Sequence, residues 1–313
     1  MALRTAFFGT PDAAVPTLEA LLASPHEMLA VLTAPDRPRD RGLELKPSPV
    51  KERALASGVP VLQPRTLRDE AVQARLRDLG ADVFVVCAYG LILPPAVLEA
   101  TPHGCLNVHF SILPRLRGAA PVQWALIEGH ERAGVTILQM DPGLDTGPIV
   151  EIAGTEVRPD DTAGTLEARL AHLGAGLLVE VLDRLERGGL TSRPQDDSRR
   201  TLAPKLTPAD ARIDWTMDAA SIVRRVRAFN PRPGAWTMVG GRRLKVWRAR
   251  TVEGARERPP GSIRAAEPPL EGLLAGTGTT EILLEEVQPA GSRRMPAADF
   301  LRGLRQGTED RFT

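Results

Sequence analysis

An α/β domain followed by a smaller, mostly β domain is the fold that three features of the 313-residue chain predict. Short apolar runs alternate with amphipathic stretches over residues 1–190, a polar, proline-containing segment without periodicity follows at 191–206, and several short apolar runs come after a single helical stretch in 207–313.

The alternation begins at residues 3–9 (LRTAFFG), a strand ending in Gly9. Thr10, Pro11 and Asp12 then offer an N-cap, a first-turn proline and an acidic first turn, with Leu18, Leu21 and Leu22 at helical spacing. It continues with MLAVLTA as strand, VKERALASG as helix, VPVLQP as strand, RDEAVQARLRDLG as helix and ADVFVVCAYG as strand. PPAVLEA follows as a short helix, GCLNVHF as strand, PVQWALIEGHERAG as helix and VTILQMD as strand. Such alternation predicts a parallel, doubly wound sheet covered on both faces. TAGTLEARLAHLGAGLLVEVLDRLERGG closes the first domain as a long helix, and the polar stretch TSRPQDDSRRTLAPKL is a linker. Beyond it, IDWTMDAASIVRRVRAF is predicted helical, and Pro231, Pro233 and Gly234 break the chain. AWTMVGGRRLKVWRARTV reads as a hairpin turning at Gly240-Gly241, and GSIRAA, GLLAGTG and EILLEEVQPA as further strands, a succession that suits an oligonucleotide-binding (OB-like) barrel.

With 42% hydrophobic and 25% charged residues, the composition is that of a globular protein and excludes disordered, collagen-like and membrane classes. MALRTAFFGTPDAAV is too short in apolar residues for a signal peptide, so the cytoplasm is the expected compartment. Cys87 and Cys105 lie inside apolar runs, as buried thiols do under reducing conditions, without disulfide or zinc spacing. Residues 1–204 carry 21 Lys and Arg against 26 Asp and Glu, and residues 205–313 carry 19 against 13, an asymmetry that points to a polyanion near the C-terminal part or to a mildly basic solvated surface.

Open α/β sheets bind ligands beyond the carboxyl ends of their strands, and four of those ends are unusual. FFGTPDAA has one glycine where a dinucleotide fingerprint needs Gly-x-Gly-x-x-Gly, so it reads as a turn and helix cap. LNVHF sets Asn107 and His109 two residues apart, on one side of a strand. An amide donor for a developing oxyanion then stands beside a group that polarises or carries a proton near neutral pH, although a satisfied buried pair has the same spacing. The next segment, SILPRLRGAAPVQ, has the Pro and Gly content of a pocket-lining loop. MDPGLDTG carries Asp141 and Asp145 on a loop, where a carboxylate could reach His109, form an Asx turn or, with a single histidine nearby, less readily hold a metal. TAPDRPRDRGLELKPSPVK carries Arg37, Arg39, Arg41, Lys46 and Lys51, which suit phosphate contacts or a solvated surface equally.

FFGTPD, PDRP with its following RG, PSPVK, VCAYGLILP, GCLNVHFSILPRLRGAAPVQ, MDPGLDTG, DARIDW and AFNPRPGAW, in this order, resemble the methionyl-tRNA formyltransferase family over essentially the whole chain. The block from Asn107 to Gln123 with MDPGLDTG is shared by formyltetrahydrofolate-using transferases in general, and the N-terminal loop and C-terminal half narrow the resemblance to the tRNA enzymes. It implies a Rossmann-like catalytic domain that binds 10-formyltetrahydrofolate as formyl donor without a metal, and an OB-like barrel that helps hold initiator methionyl-tRNA. It also implies Asn107, His109 and Asp145 as the catalytic set, Ser111, Ile112, Leu113 and Pro114 as the folate-binding segment, and Cys87, Ala88, Tyr89, Gly90 and Leu91 as lining of the pterin pocket. Arg41 matches an arginine presented to the acceptor stem, and Lys205 a linker lysine near the tRNA end. Arg224, Arg225, Arg227, Arg242, Arg243 and Lys245 are further candidates for phosphate contact. A monomer is expected. The sequence departs from the family in its loop PRDRGLELK, where Asp40 and Glu44 dilute the charge, and in Phe110, where a small residue is common. Two rivals remain open: a related transferase acting on a small amine, such as an amino-sugar nucleotide or glycinamide ribonucleotide, and a non-catalytic RNA-binding protein. The arginine loop argues against the first and the Asn107, His109, Asp145 set against the second.

Overall fold

A computed structural model describes residues 2–39, 44–304 and 311–313. It divides into two compact units, Met1–Pro121 with Arg132–Glu156 and Glu167–Pro204, and Val122–Glu131 with Val157–Leu166 and Lys205–Thr313. Residues 191–204, read as linker, therefore pack with the first unit, where Arg193 bridges to Ile149 and Leu202 to Arg117.

The strands of the first unit are β1 (Arg4–Gly9), β2 (Glu27–Leu32), β3 (Arg37–Arg39), β4 (Glu44–Lys46), β5 (Val61–Leu62), β6 (Val83–Cys87), β7 (Cys105–His109), β8 (Arg132–Gln139) and β9 (Ile149–Glu156). Seven of them form one sheet in the order β5-β2-β1-β6-β7-β8-β9, while β3 and β4 pair separately. The unit's helices are α1 (Val15–Ala23), α2 (Pro49–Ala56), α3 (Glu70–Asp78) and α4 (Pro95–Leu98), while α5 (Pro121–Ile127) and α6 (Ala163–Glu186) each have residues in both units. Central strands β1 and β6 are almost continuously apolar and buried, as a parallel strand covered on both faces requires. The rings of Phe8, Phe84 and Tyr89 pack beside them, with Phe8 centred 5.1 Å from Phe84 and 5.3 Å from Tyr89.

Two expectations for this unit are corrected and one strand is added. The sheet is parallel only from β5 to β7, because β8 runs antiparallel to β7 and β9 to β8. A parallel return needs a crossover element lying on the sheet, whereas α5 is only seven residues long and all of it but Pro121 groups with the second unit. Strand β9 was not anticipated from sequence. Thr10 does not cap α1: its Oγ1 donates to the Tyr89 carbonyl at 3.0 Å and ties the ends of β1 and β6 together. Gly9 owes its place to the Phe7 ring, whose edge lies 2.6 Å from where a Cβ would stand.

In the second unit the sheet order is β10 (Ala235–Val239), β11 (Arg242–Thr251), β14 (Glu281–Pro289), β13 (Leu273–Gly276), β12 (Ile263–Ala265), with β15 (Met295–Pro296) on β14 and every pairing antiparallel. Gly240 and Gly241, both at positive φ, make the two-residue turn between β10 and β11. The helix expected from Ile213 starts only at α7 (Ala219–Ala228), because Asp214 Oδ1 accepts from the Thr216 amide and hydroxyl in a tight turn and Asp218 caps the helix by accepting from the Ser221 amide. Trp215 is buried instead, stacked 4.9 Å from Phe312 with its Nε1 donating to Thr237 Oγ1. Among the described residues no helix is long and apolar enough to cross a membrane.

Gly134 of β8 faces the Ile112 side chain, 2.7 Å from where a Cβ would stand, and the Ala153 carbonyl is nearer still. Gly134→Ala is expected to destabilise the first unit by about 1–3 kcal/mol, read as a lower urea midpoint at unchanged slope.

Candidate active site

Alternation along β7 turns Asn107 and His109 to one side, while Val108 goes to the other, against the space left by Gly174 of α6. On the first side both meet Asp145. Asp145 Oδ1 accepts from Asn107 Nδ2 at 3.4 Å, and Oδ2 accepts from the Gly118 amide at 2.8 Å and lies 3.7 Å from His109 Nδ1. The other ring nitrogen, Nε2, is 3.0 Å from the Leu116 carbonyl oxygen. A carbonyl only accepts, so Nε2 carries a proton and donates it, and Nδ1 is the nitrogen that faces the carboxylate. At 3.7 Å that approach is longer than a hydrogen bond, which leaves Nδ1 open to a third group.

Asp145 reaches this position by an indirect route. Because Leu106 pairs with Gln139, β8 delivers the chain near the start of β7, and the β8–β9 connection doubles back along β7. The site thus lies against a face of β7 and is not confined to the carboxyl ends of the strands. Asp141 shapes the connection: its Oδ1 accepts from the Gly143 amide at 3.1 Å and from Thr146 Oγ1 at 2.7 Å, the Asx turn. Gly147 packs so closely on the Gln139 carbonyl that no Cβ fits. Asp145 itself has φ 53°, and Leu116, whose carbonyl holds the ring, has φ 59°. Each such left-handed residue costs about 1–2 kcal/mol, so neighbouring contacts must hold them. Those contacts come from Arg117, Gln195 and Thr201, which sequence reasoning missed: Gln195 and Thr201 sit in the polar stretch read as linker, and a charge that becomes buried leaves no mark on local periodicity.

Ala88, Tyr89, Gly90 and Leu91 line a cavity of about 530 Å³ beside the carboxyl end of β6, whose Val86 pairs with Asn107. Thr10, Arg37, Lys46 and Arg65 also face it. Cys87 is buried and does not line it. Nor do Ser111 to Pro114: Ser111 Oγ donates to the Arg115 carbonyl at 2.7 Å, Ile112 packs against β8 and β9, and Leu113 joins a core with Leu138 and Ile149. Among the described residues no group of three or more His, Cys, Asp or Glu could hold a metal ion.

Many candidate phosphate ligands already have partners. Arg41 lies outside the described residues. Lys51 Nζ bonds Asp36 Oδ2 at 2.6 Å, and Lys51 together with Gln63 holds the Asp36 carboxyl below the usual carboxylate range. Arg225 donates to the Asp210 carbonyl, Arg227 to the carbonyls of Arg158 and Asp161, Lys245 to that of Pro233 and Arg224 to Ser221 Oγ. Burial also lowers the Arg227 guanidinium below its ordinary value. Lys205, Arg242 and Arg243 are exposed, with Arg243 lying 4.1 Å over the Trp236 ring. Arg294, 3.7 Å over Trp247, makes a similar contact that sequence reasoning missed.

Residues 3–182 match the family model "Formyl transferase" and residues 205–305 match "Formyl transferase, C-terminal domain". A methionyl-tRNA formyltransferase of Methylobacillus flagellatus is 47% identical, covering 99% of each chain, and one of Aromatoleum aromaticum is 48% identical over 99% of this chain and 97% of the relative. The N-formyltransferase of Helicobacter canadensis, solved with folinic acid and dTDP-3-aminofucose, shares the fold at 18% identity, with a TM-score of 0.68 over 92% of this chain and 100% of that one.

Burial pushes the thiols of Cys87 and Cys105 up to about 12. A disulfide reagent at about pH 8 is therefore expected to modify neither cysteine in the native protein and both after denaturation. Rapid labelling of either thiol in the native state would contradict this burial.

Proposed function

The chain belongs to the formyl transferase family, and on that premise we propose that it transfers the formyl group of 10-formyltetrahydrofolate to the α-amino group of methionyl initiator tRNA, in the cytoplasm and as a monomer. The observation that carries the proposal is the meeting of Asn107 and His109 at the Asp145 carboxylate, all from one chain. The residues present also fit a folate. Tyr89 lines the cavity with its ring packed edge-on to Phe8, and Arg37, Lys46 and Arg65 give the cavity a cationic lining suited to a carboxylate-bearing ligand.

The donor supplies an electrophilic formyl carbon. A free α-amine has a substantial neutral fraction near pH 7, so the acceptor needs little activation. As its nitrogen bonds to the formyl carbon, negative charge grows on the formyl oxygen, which Asn107 Nδ2 and a protonated His109 Nδ1 stabilise by donating hydrogen bonds. Preorganised donors of this kind contribute about 3 kcal/mol each. Asp145, fixed by the Gly118 amide, orients Asn107 and the ring and accepts the proton shed by the amine. The carbon's bond to the folate N10 then breaks and that nitrogen recovers the proton. No covalent enzyme intermediate is needed, in keeping with two deeply buried thiols. Phosphate contacts fall to the exposed Lys205, Arg242 and Arg243 before the cations already engaged with carbonyls.

The direct test is formyl transfer to charged initiator tRNA, charged elongator methionine tRNA and an amino-sugar nucleotide: only the first should be a good acceptor, and preference for the sugar would overturn the reading. Asn107→Ala and Asp145→Ala should each lower kcat by about 10²–10³-fold while tRNA affinity stays within about twofold; equal losses in both would remove the assigned roles. Neutralising Arg242 and Arg243 should each reduce the salt slope of tRNA binding by about 1, measured by filter binding.

A further inference from the structure

We propose that residues 195–203 form a strap whose Gln195 and Thr201 are positioning residues, one holding Asp145 and the other the Leu116 carbonyl that orients His109. The proposal rests on the formyl-transfer reading for its activity arm and on geometry for the rest. Among the described residues, two of the three non-glycine residues at positive φ, Leu116 and Asp145, flank the site, and the strap grips both.

Gln195 Nε2 donates to the carbonyl of Asp145 at 2.8 Å and to that of Gly147 at 2.7 Å. The orientation of its amide is not arbitrary. Gln195 Oε1 accepts two N–H groups of Arg117, from Nε at 3.0 Å and Nη2 at 2.7 Å, and a guanidinium can only donate, so the NH₂ must face the two carbonyls. Arg117 is 3% exposed and is neutralised by Asp197 at 2.7 Å. A buried charge bonded on that scale leaves little freedom to the amide it holds.

Thr201 acts on the other arm. Its Oγ1 accepts from the Leu116 amide at 2.9 Å, and the carbonyl of that same leucine receives His109 Nε2. Backbone pairing continues the grip: the Arg117 amide donates to the Thr201 carbonyl, Ala203 to Arg117, and Ala120 to Ala203. Gly118, whose amide fixes Asp145 Oδ2, passes so close that a Cβ would lie 2.8 Å from the Ala203 carbonyl. One short segment therefore sets both the imidazole and the carboxylate, although among the described residues none of its side chains hydrogen-bonds to either group.

Substitutions that change single atoms separate positioning from general stability. Gln195→Glu keeps the acceptor for Arg117, removes the donor to the two carbonyls and sets a carboxylate oxygen against them. Thr201→Val removes the acceptor at nearly constant shape, and Thr201→Ser restores it. Gln195→Glu and Thr201→Val should lower kcat for formyl transfer by about 10- to 100-fold, with the KM for methionyl-tRNA and the melting temperature close to wild type, and Thr201→Ser should recover most of the rate. In ¹⁵N-histidine NMR, the His109 Nε2–H resonance of the free protein should shift or broaden in Thr201→Val and return in Thr201→Ser. A kcat within about twofold of wild type with an unmoved resonance overturns the proposal. So does a rate that falls only in step with melting temperature, with Thr201→Ser no better than Thr201→Val. Should the wild-type protein formylate no tRNA, the functional reading fails, and the imidazole resonance still decides the positioning claim.

Discussion

The site depends on one carboxylate held in a conformation its own backbone disfavours. Asp145 is left-handed, and that geometry lets Oδ2 take the Gly118 amide while Oδ1 turns to Asn107. Relaxation of the residue toward ordinary φ would withdraw the carboxylate that faces the ring. The strain is local and the restraint is distant in sequence: the Gly118 amide lies 27 residues before Asp145 and the Gln195 amide 50 residues after it. A cluster of small polar groups is thereby made rigid by segments that close long loops, as electrostatic preorganisation requires.

The reversal of strand direction after β7 makes this closure possible. Had β8 returned parallel, a helix would cover the face of β7 that carries Asn107 and His109, and the following connection would emerge at the same ends as the others. With β8 and β9 antiparallel, that face is covered by two loops, 110–120 and 140–148, which meet over it at Gly118 and Asp145. Loops so placed would ordinarily be mobile. Here the strap supplies the ladder of hydrogen bonds that an absent crossover helix would otherwise have replaced.

Sequence pattern reached the elements whose signal is local. Buried strands such as β6, the long apolar-striped α6 and the glycine pair between β10 and β11 announce themselves within a few residues. The two-residue spacing of Asn107 and His109 likewise put both on one side of β7. Strand direction was not legible, because the run VTILQMD reads the same in either sense and only the position of α5 decides it. Local pattern did not separate Asp141 from Asp145, since both stand in one turn-forming loop, and only the family resemblance singled out Asp145; in the folded chain the first is spent on Gly143 and Thr146 and the second faces the ring. Gln195 was invisible for a related reason, since a glutamine among aspartates, serine and arginines carries no periodicity to mark the contacts it makes. The cations show the same limit. Arg227 and Arg243 are alike in sequence, yet one donates to two carbonyls and the other lies exposed over an indole.

The ring orientation also divides the labour between the two titratable groups. With Nε2 committed to the Leu116 carbonyl, His109 has a single nitrogen to offer, and that nitrogen cannot both donate to a developing oxyanion and accept a proton from the amine. If it donates, the base must be Asp145. The carboxylate is equipped for that role, because Oδ2 has one firm donor in the Gly118 amide and Oδ1 only a long contact at 3.4 Å, so lone pairs remain for an incoming proton. The assignment of base and electrophile in the proposed reaction therefore follows from which atom of Leu116 faces the imidazole, and hence from the contacts that keep Leu116 left-handed.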